Sequence, residues 1–196
     1  MKRLGLGVFL LVLFAAVAGY AETIDFENMP QDYWYYAGQQ NFGNYWEGVY
    51  FGPASTILED QVYGYNSEGY PPHSGHAVLF SIAIPYIDAI FDTPQSEVSL
   101  WYTSTSNFYL DLYDVDDNLI ASIVGGQNYT TNSFLQYISG SADIAWVRMH
   151  DTGNYFTIDD FYAPDLTGEP APEPASLILL GTGLGILFLA ARRRSK

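Results

Sequence analysis

The chain has 196 residues, with 22 acidic and 7 basic side chains and no cysteine. All of the acids lie between Glu22 and Glu173, where the only Lys or Arg is Arg148, so this middle stretch repels nucleic acid and anionic lipid. Disulfide staples, thiol nucleophiles and lysine Schiff-base chemistry are excluded there as well.

The first 21 residues open with Lys2 and Arg3, continue as an apolar run from Leu4 to Val17, and end on Gly19 and Ala21. This is the pattern of a secretory signal peptide, with cleavage expected after Ala21 and Ala18 as the alternative. The stretch that follows, residues 22–163, is long enough for one domain with its own core. It shows no extended 3.6-residue period. Short segments instead alternate with a period of two between Gly, Pro, Asn and Asp. They predict strands over residues 24–28, 48–51, 61–65, 77–84, 87–91, 97–103, 108–114, 119–124, 134–139, 144–150 and 155–161. Turn residues at Asp116-Asp117-Asn118, Gly125-Gly126 and Thr152-Gly153-Asn154 predict hairpins between the strands they join. The fold class is therefore all-β, with two antiparallel sheets packed face to face as a jelly-roll-like sandwich.

Residues 29–50 are rich in Tyr, Trp, Gln and Asn and read as an ordered loop. Rings with polar edges stack on sugar faces, which nominates Trp34, Tyr36 and Trp46 as ligand contacts; the alternative is that these rings fill the core. Between Pro71-Pro72 and the strand at Ala77, His73 and His76 read as loop histidines, since no third metal ligand stands at a telling spacing. Asp114, Asp116 and Asn118 copy the start of a calcium loop, but Leu119 and Gly125 occupy the positions that need Gly and Glu, so a turn is expected. Asn128-Tyr129-Thr130 fits a glycosylation sequon by coincidence, and Arg148 is expected to be an ion-pair partner. In the last predicted strand, Phe156 and Ile158 facing the core would aim Asp160 inward too.

The opening Asp25-Phe26-Glu27 and closing Ile158-Asp159-Asp160 resemble the terminal strands of MAM and carbohydrate-binding-like sandwich domains. The resemblance implies that the two ends lie side by side and hold a structural calcium ion. Glu27 and Asp160 would be its ligands, Asp25 and Asp159 second choices, with backbone carbonyls completing the oxygen shell. The alternative is that these acids cap backbone N–H groups at turns.

Residues 164–174 carry Pro164, Pro170, Pro172 and Pro174 and read as an extended acidic linker. Residues 175–191 are uncharged and just long enough for a helix across a bilayer, and Arg192, Arg193 and Arg194 hold its end on the cytoplasmic side. Pro172-Glu173-Pro174, this short apolar helix and the arginine cluster together resemble the PEP-CTERM sorting signal, spanning residues 172–196. That implies an inner-membrane intermediate, processing by an exosortase and delivery to the cell surface or an exopolysaccharide matrix. The function expected is a non-catalytic surface module that binds glycan and holds structural calcium. A purely structural or adhesive protein, and an exported polysaccharide hydrolase, stand as alternatives.

Overall fold

A computed structural model describes residues 23–27, 29, 45–52, 54–59 and 65–166. They form ten strands: β1 (Val49–Phe51), β2 (Ser55–Glu59), β3 (Ala77–Ser81), β4 (Tyr86–Gln95), β5 (Glu97–Ser104), β6 (Phe108–Tyr113), β7 (Leu119–Gly125), β8 (Ser133–Ile138), β9 (Ile144–His150) and β10 (Phe156–Tyr162). The first sheet has the order β1-β4-β9-β6-β7 and the second β2-β3-β10-β5-β8. Every pairing is antiparallel. The predicted two-sheet sandwich is the fold.

Only β2–β3 and β6–β7 are neighbours both in sequence and in a sheet. The turn at Asp116-Asp117-Asn118 is thus a hairpin, with Asp114 Oδ1 accepting the N–H groups of Asp116 and Asn118 at 2.9 Å each. Gly125-Gly126 and Thr152-Gly153-Asn154 do not make hairpins: both carry the chain from one sheet to the other. A jelly roll switches sheets at most of its turns, and turn residues alone do not say which strand comes next in space.

Alternation decides the core. In β6, Phe108, Leu110 and Leu112 are fully buried while Tyr109, Asp111 and Tyr113 are on the outer face. Strand β2 was not among the predicted strands, which placed one at 61–65 instead. Ser55, Thr56 and Ile57 are all buried, so β2 shows no alternation to read. Residues 61–64 lie outside the described ones. The predicted opening strand reduces to a single bridge at Ile24, opposite Phe161.

Two further differences concern the last strand and the residues just after it. Ala163 and Leu166 are buried in the core, and the Asp165 N–H donates to Gln95 Oε1 at 3.2 Å, so the domain runs on into the stretch read as linker. Asp160 does not point inward. The pairing of β10 with β5 slips between Asp159 and Tyr162, and Asp160 takes a left-handed backbone (φ 47°), which Asp tolerates better than most residues. This bulge returns Phe161 to the core and leaves both carboxylates to meet the 73–76 segment.

Candidate functional site

On the outer face of the second sheet, Leu58, Phe80 and Thr157 floor a cleft of about 400 Å³. Its walls come from two loops. Tyr65, Asn66 and Tyr70 supply one, and Gly153, Asn154 and Tyr155 the other. Asn66 shapes the first wall by accepting the N–H groups of Gly69 and Tyr70 on its backbone carbonyl at 3.1 and 2.9 Å. The Tyr65 hydroxyl donates to the Tyr70 carbonyl at 2.5 Å, and Asn66 Nδ2 donates to the Tyr129 hydroxyl at 3.1 Å. Tyr70 meets Tyr129 edge to face at 5.3 Å, and burial raises the pKa of its phenol.

The second wall is organised by Asp151, itself buried. Its Oδ1 accepts the N–H groups of Gly153, Asn154 and Tyr155 at 2.9, 2.5 and 3.3 Å, while Ser104 and Ser106 donate to Oδ2. Asn154 completes the turn in the left-handed region (φ 62°) and ties it to β3 through Nδ2, 3.2 Å from the Ser81 carbonyl. Tyr155 is left 63% exposed at the rim. None of the residues lining the cleft is charged. Tyrosine faces and asparagine amides without a charge suit a neutral, hydroxylated, flat ligand. The lining holds no pair of acids and no nucleophile with a base beside it.

None of these residues was nominated from the sequence. Asn66, Tyr70, Asn154 and Tyr155 stand in turn-rich stretches far apart in the chain, and only the sheet switching brings them together. Trp46, a predicted ligand contact, is 4% exposed in the core, edge to face with Phe26 at 5.4 Å and Phe51 at 5.6 Å. Its ring has no face to offer a ligand there. Trp34 and Tyr36 lie outside the described residues, as do Pro172, Glu173, Pro174, Arg192, Arg193 and Arg194 and the predicted signal peptide and apolar helix.

Three of the predicted terminal acids lie along the loop before β3 at different points of it, Asp159 and Asp160 at His73 and Ser74, and Glu27 at His76 and Ala77. Ile24 and Phe161 exchange backbone hydrogen bonds, and the acids beside them grip the loop before β3. Asp159 Oδ2 accepts the N–H groups of His73 and Ser74 at 2.7 and 2.9 Å, and Oδ1 that of Asp160 at 2.8 Å. Glu27 Oε1 accepts those of His76 and Ala77 at 2.7 Å each, and Asp25 Oδ1 that of Glu27 at 3.0 Å. Ser74 Oγ donates to Asp160 Oδ1, and His73 Nδ1 lies 2.5 Å from Asp160 Oδ2 with its ring stacked on Trp101 at 3.6 Å. His76 stands between Glu27 Oε2 at 2.6 Å and Glu59 Oε1 at 2.8 Å.

Gly75 makes the grip possible: its φ is +52°, and a Cβ there would collide with the Glu27 carboxylate. Asp159 is 1% exposed, and burial pushes its carboxyl up to about 7, although the N–H donors of Ser74, Asp160 and His73 pull the other way. The oxygen chemistry of Asp25, Glu27, Asp159 and Asp160 suits a hard cation, although Glu27 Oε2 already has His76 Nδ1 at 2.6 Å. In this arrangement the acids are spread along the loop; among the described residues no three His, Asp or Glu side chains are disposed to hold an ion.

The outer face of the first sheet carries a second cleft, of about 370 Å³, lined by Tyr86, Asp111, Tyr113, Arg148 and His150 and so charged where the first is not. Arg148 forms a two-pronged pair with Asp88 at 2.7 and 2.8 Å and lies over the Tyr86 ring at 4.0 Å. Tyr113 stacks on Trp146 at 3.9 Å and Tyr109 on His150 at 5.0 Å, so these rings face one another across β6 and β9. Asn128, the sequon residue, accepts the Ser104 N–H and donates to the Tyr102 carbonyl at 2.7 Å each, which commits its amide to the fold.

No curated protein matches the chain. Among solved structures it is similar to TmCBM61, in complex with beta-1,4-galactotriose, at 13% identity and a TM-score of 0.40, covering 68% of this chain and 95% of that one. It is similar to a fucose binding module of Streptococcus pneumoniae at 12% identity and a TM-score of 0.36, covering 56% and 88%. It is also similar to CsCBM6-3 from Clostridium stercorarium, in complex with cellobiose, at 14% identity and a TM-score of 0.37, covering 60% and 86%. At its other end the chain matches a family model described as the PEP-CTERM protein-sorting motif, over residues 170–194. The chain thus couples a two-sheet β-sandwich to a C-terminal sorting signal of exported proteins.

Proposed function

We propose that the sandwich is a non-catalytic carbohydrate-binding module, exported and then presented at the cell surface or in its extracellular matrix. The observation that carries this reading is the cleft: Tyr65, Tyr70, Tyr155, Asn66 and Asn154 make an uncharged lining in a domain with a large excess of acids. A neutral sugar unit of an exopolysaccharide or other surface glycan enters such a site without meeting a carboxylate. Stacking on Tyr155 and Tyr70 supplies contact area, and the asparagine amides select hydroxyl groups.

The sorting motif supports handling by an exosortase-type enzyme, through an inner-membrane intermediate anchored by residues 175–191. Calcium belongs to the same reading as a structural ion at the terminal clasp. Glu27 and Asp160, with Asp25 and Asp159, would hold it, and its charge would compensate acids that now rely on N–H donors and imidazoles. The test of the ligand site is electrophoresis of the protein through gels containing neutral polysaccharides. Retardation that falls about tenfold in Tyr155→Ala, a loss of roughly 1.4 kcal/mol, is the expected result. Equal retardation of the two proteins removes the cleft from the site.

A further inference from the structure

Strands β7 and β8 are each the last strand of their sheet. From Asn118 to Ala142 the chain has no charged residue, although it carries 22 acids elsewhere. Sheet edges are usually guarded by charge, by proline or by a bulge. Strand β8, Ser-Phe-Leu-Gln-Tyr-Ile from Ser133 to Ile138, has none of these, and it pairs with β5 in unbroken register from Glu97 opposite Ile138 to Tyr102 opposite Ser133. Its outer face shows Phe134 and Ile138, which are 47% and 64% exposed. The opposite edges differ: β1 is three residues long, and β2 ends on Glu59.

Charge says what covers this edge. Two copies of so acidic a domain repel each other wherever their carboxylates face, and no residue of β8 itself carries one, with Glu97 of β5 the acid beside it. Two flanking acids each turn one oxygen to a local donor: Glu97 Oε1 takes the Gln136 amide at 2.6 Å, and Asp143 Oδ2 takes the Ser141 hydroxyl at 2.9 Å. We infer that β8 is a self-association surface, on which β8 of a second copy of this chain adds antiparallel about a two-fold axis. With Gln136 opposite Gln136 of the other copy, Phe134 of each lies opposite Ile138 of the other, so the apolar pairs match by symmetry. The two five-stranded sheets become one of ten strands. The pair carries two clefts and would bridge glycan strands with an avidity that a single domain lacks.

The absence of cysteine gives a direct test in the full chain, exported by its own signals. Gln136→Cys places two thiols opposite each other at a spacing that antiparallel pairing brings within disulfide reach. Non-reducing electrophoresis of exposed cells is expected to show a disulfide-linked dimer at least tenfold more abundant than in Val115→Cys, whose residue is 71% exposed in the β6–β7 turn. Adding Phe134→Glu and Ile138→Glu to Gln136→Cys is expected to abolish the dimer while the monomer is still exported and folded. Equal cross-linking of Gln136→Cys and Val115→Cys, a dimer that survives the two glutamates, or an adduct with a different protein would each overturn the inference.

Discussion

Ile24 and Phe161 exchange both of their backbone hydrogen bonds, at 2.8 and 2.9 Å. One bridge therefore closes the start of the domain on its last strand, and Asp25, Glu27, Asp159 and Asp160 flank it in sequence. Phe26, two residues on, holds a left-handed backbone (φ 61°) that a bulky residue rarely adopts, with its ring packed against Trp46 and Phe51. Such a conformation persists because the core and the clasp fix it from both sides.

The clasp is the first place to test. Gly75→Ala puts a methyl group into the Glu27 carboxylate and asks alanine for a left-handed φ, so it should destabilise by about 2 kcal/mol or more. Glu27→Ala, which leaves the His76 and Ala77 N–H groups without their acceptor, should cost a similar amount, about 1–3 kcal/mol. Urea melts check both; values within 0.5 kcal/mol of the parent would show that the grip contributes little.

Asp159 predicts a pH dependence. Its folded pKa of about 7 lies above the ordinary 3.8, so the folded state holds a proton that the unfolded state has released. The stability it contributes is complete below about pH 4 and is lost as pH rises through about 7, by up to about 4 kcal/mol. Melting temperatures recorded in chelator from pH 5 to 8 should fall, and Asp159→Asn should flatten that slope. An unchanged slope in the variant would show that the carboxyl ionises freely.

Calcium should raise the melting temperature at pH 7.5 by several degrees, and chelator should reverse the rise. Asp160→Asn should remove most of the response. A melting temperature indifferent to both additions would leave the clasp as hydrogen bonds alone.

Trp46 separates core from ligand site. Trp46→Ala should destabilise by about 3–5 kcal/mol through the cavity it leaves. The fraction that remains folded should retain the parent's glycan affinity. A loss of affinity without a loss of stability would return Trp46 to the binding surface.

The sequence and the structure agree where one physical rule suffices. Alternation in β6, with Phe108, Leu110 and Leu112 inward, is enough to find that strand and its face. It fails in β2, where Thr56 is covered as fully as Ile57. Asp160 escaped because a single left-handed residue shifts the parity of everything after it, and nothing in Ile158-Asp159-Asp160-Phe161 announces a bulge. The pairing of the two domain ends followed from resemblance, while the shared loop that Glu27 and Asp160 grip at different points did not. The cleft was illegible for a different reason. Asn154 reads as an ordinary turn residue and Asn66 carries no signal of its own, and their convergence depends on β9 and β10 lying in different sheets.

The central claim is that a neutral glycan occupies the cleft between the two loops. The most direct measurement is the change in backbone amide NMR signals as a neutral oligosaccharide that the protein retains is added. The account predicts that the perturbed amides cluster at Asn66, Tyr70, Asn154, Tyr155 and Thr157. Perturbations confined to Tyr113, Trp146 and Arg148 on the other sheet, or none at saturating oligosaccharide, would contradict it.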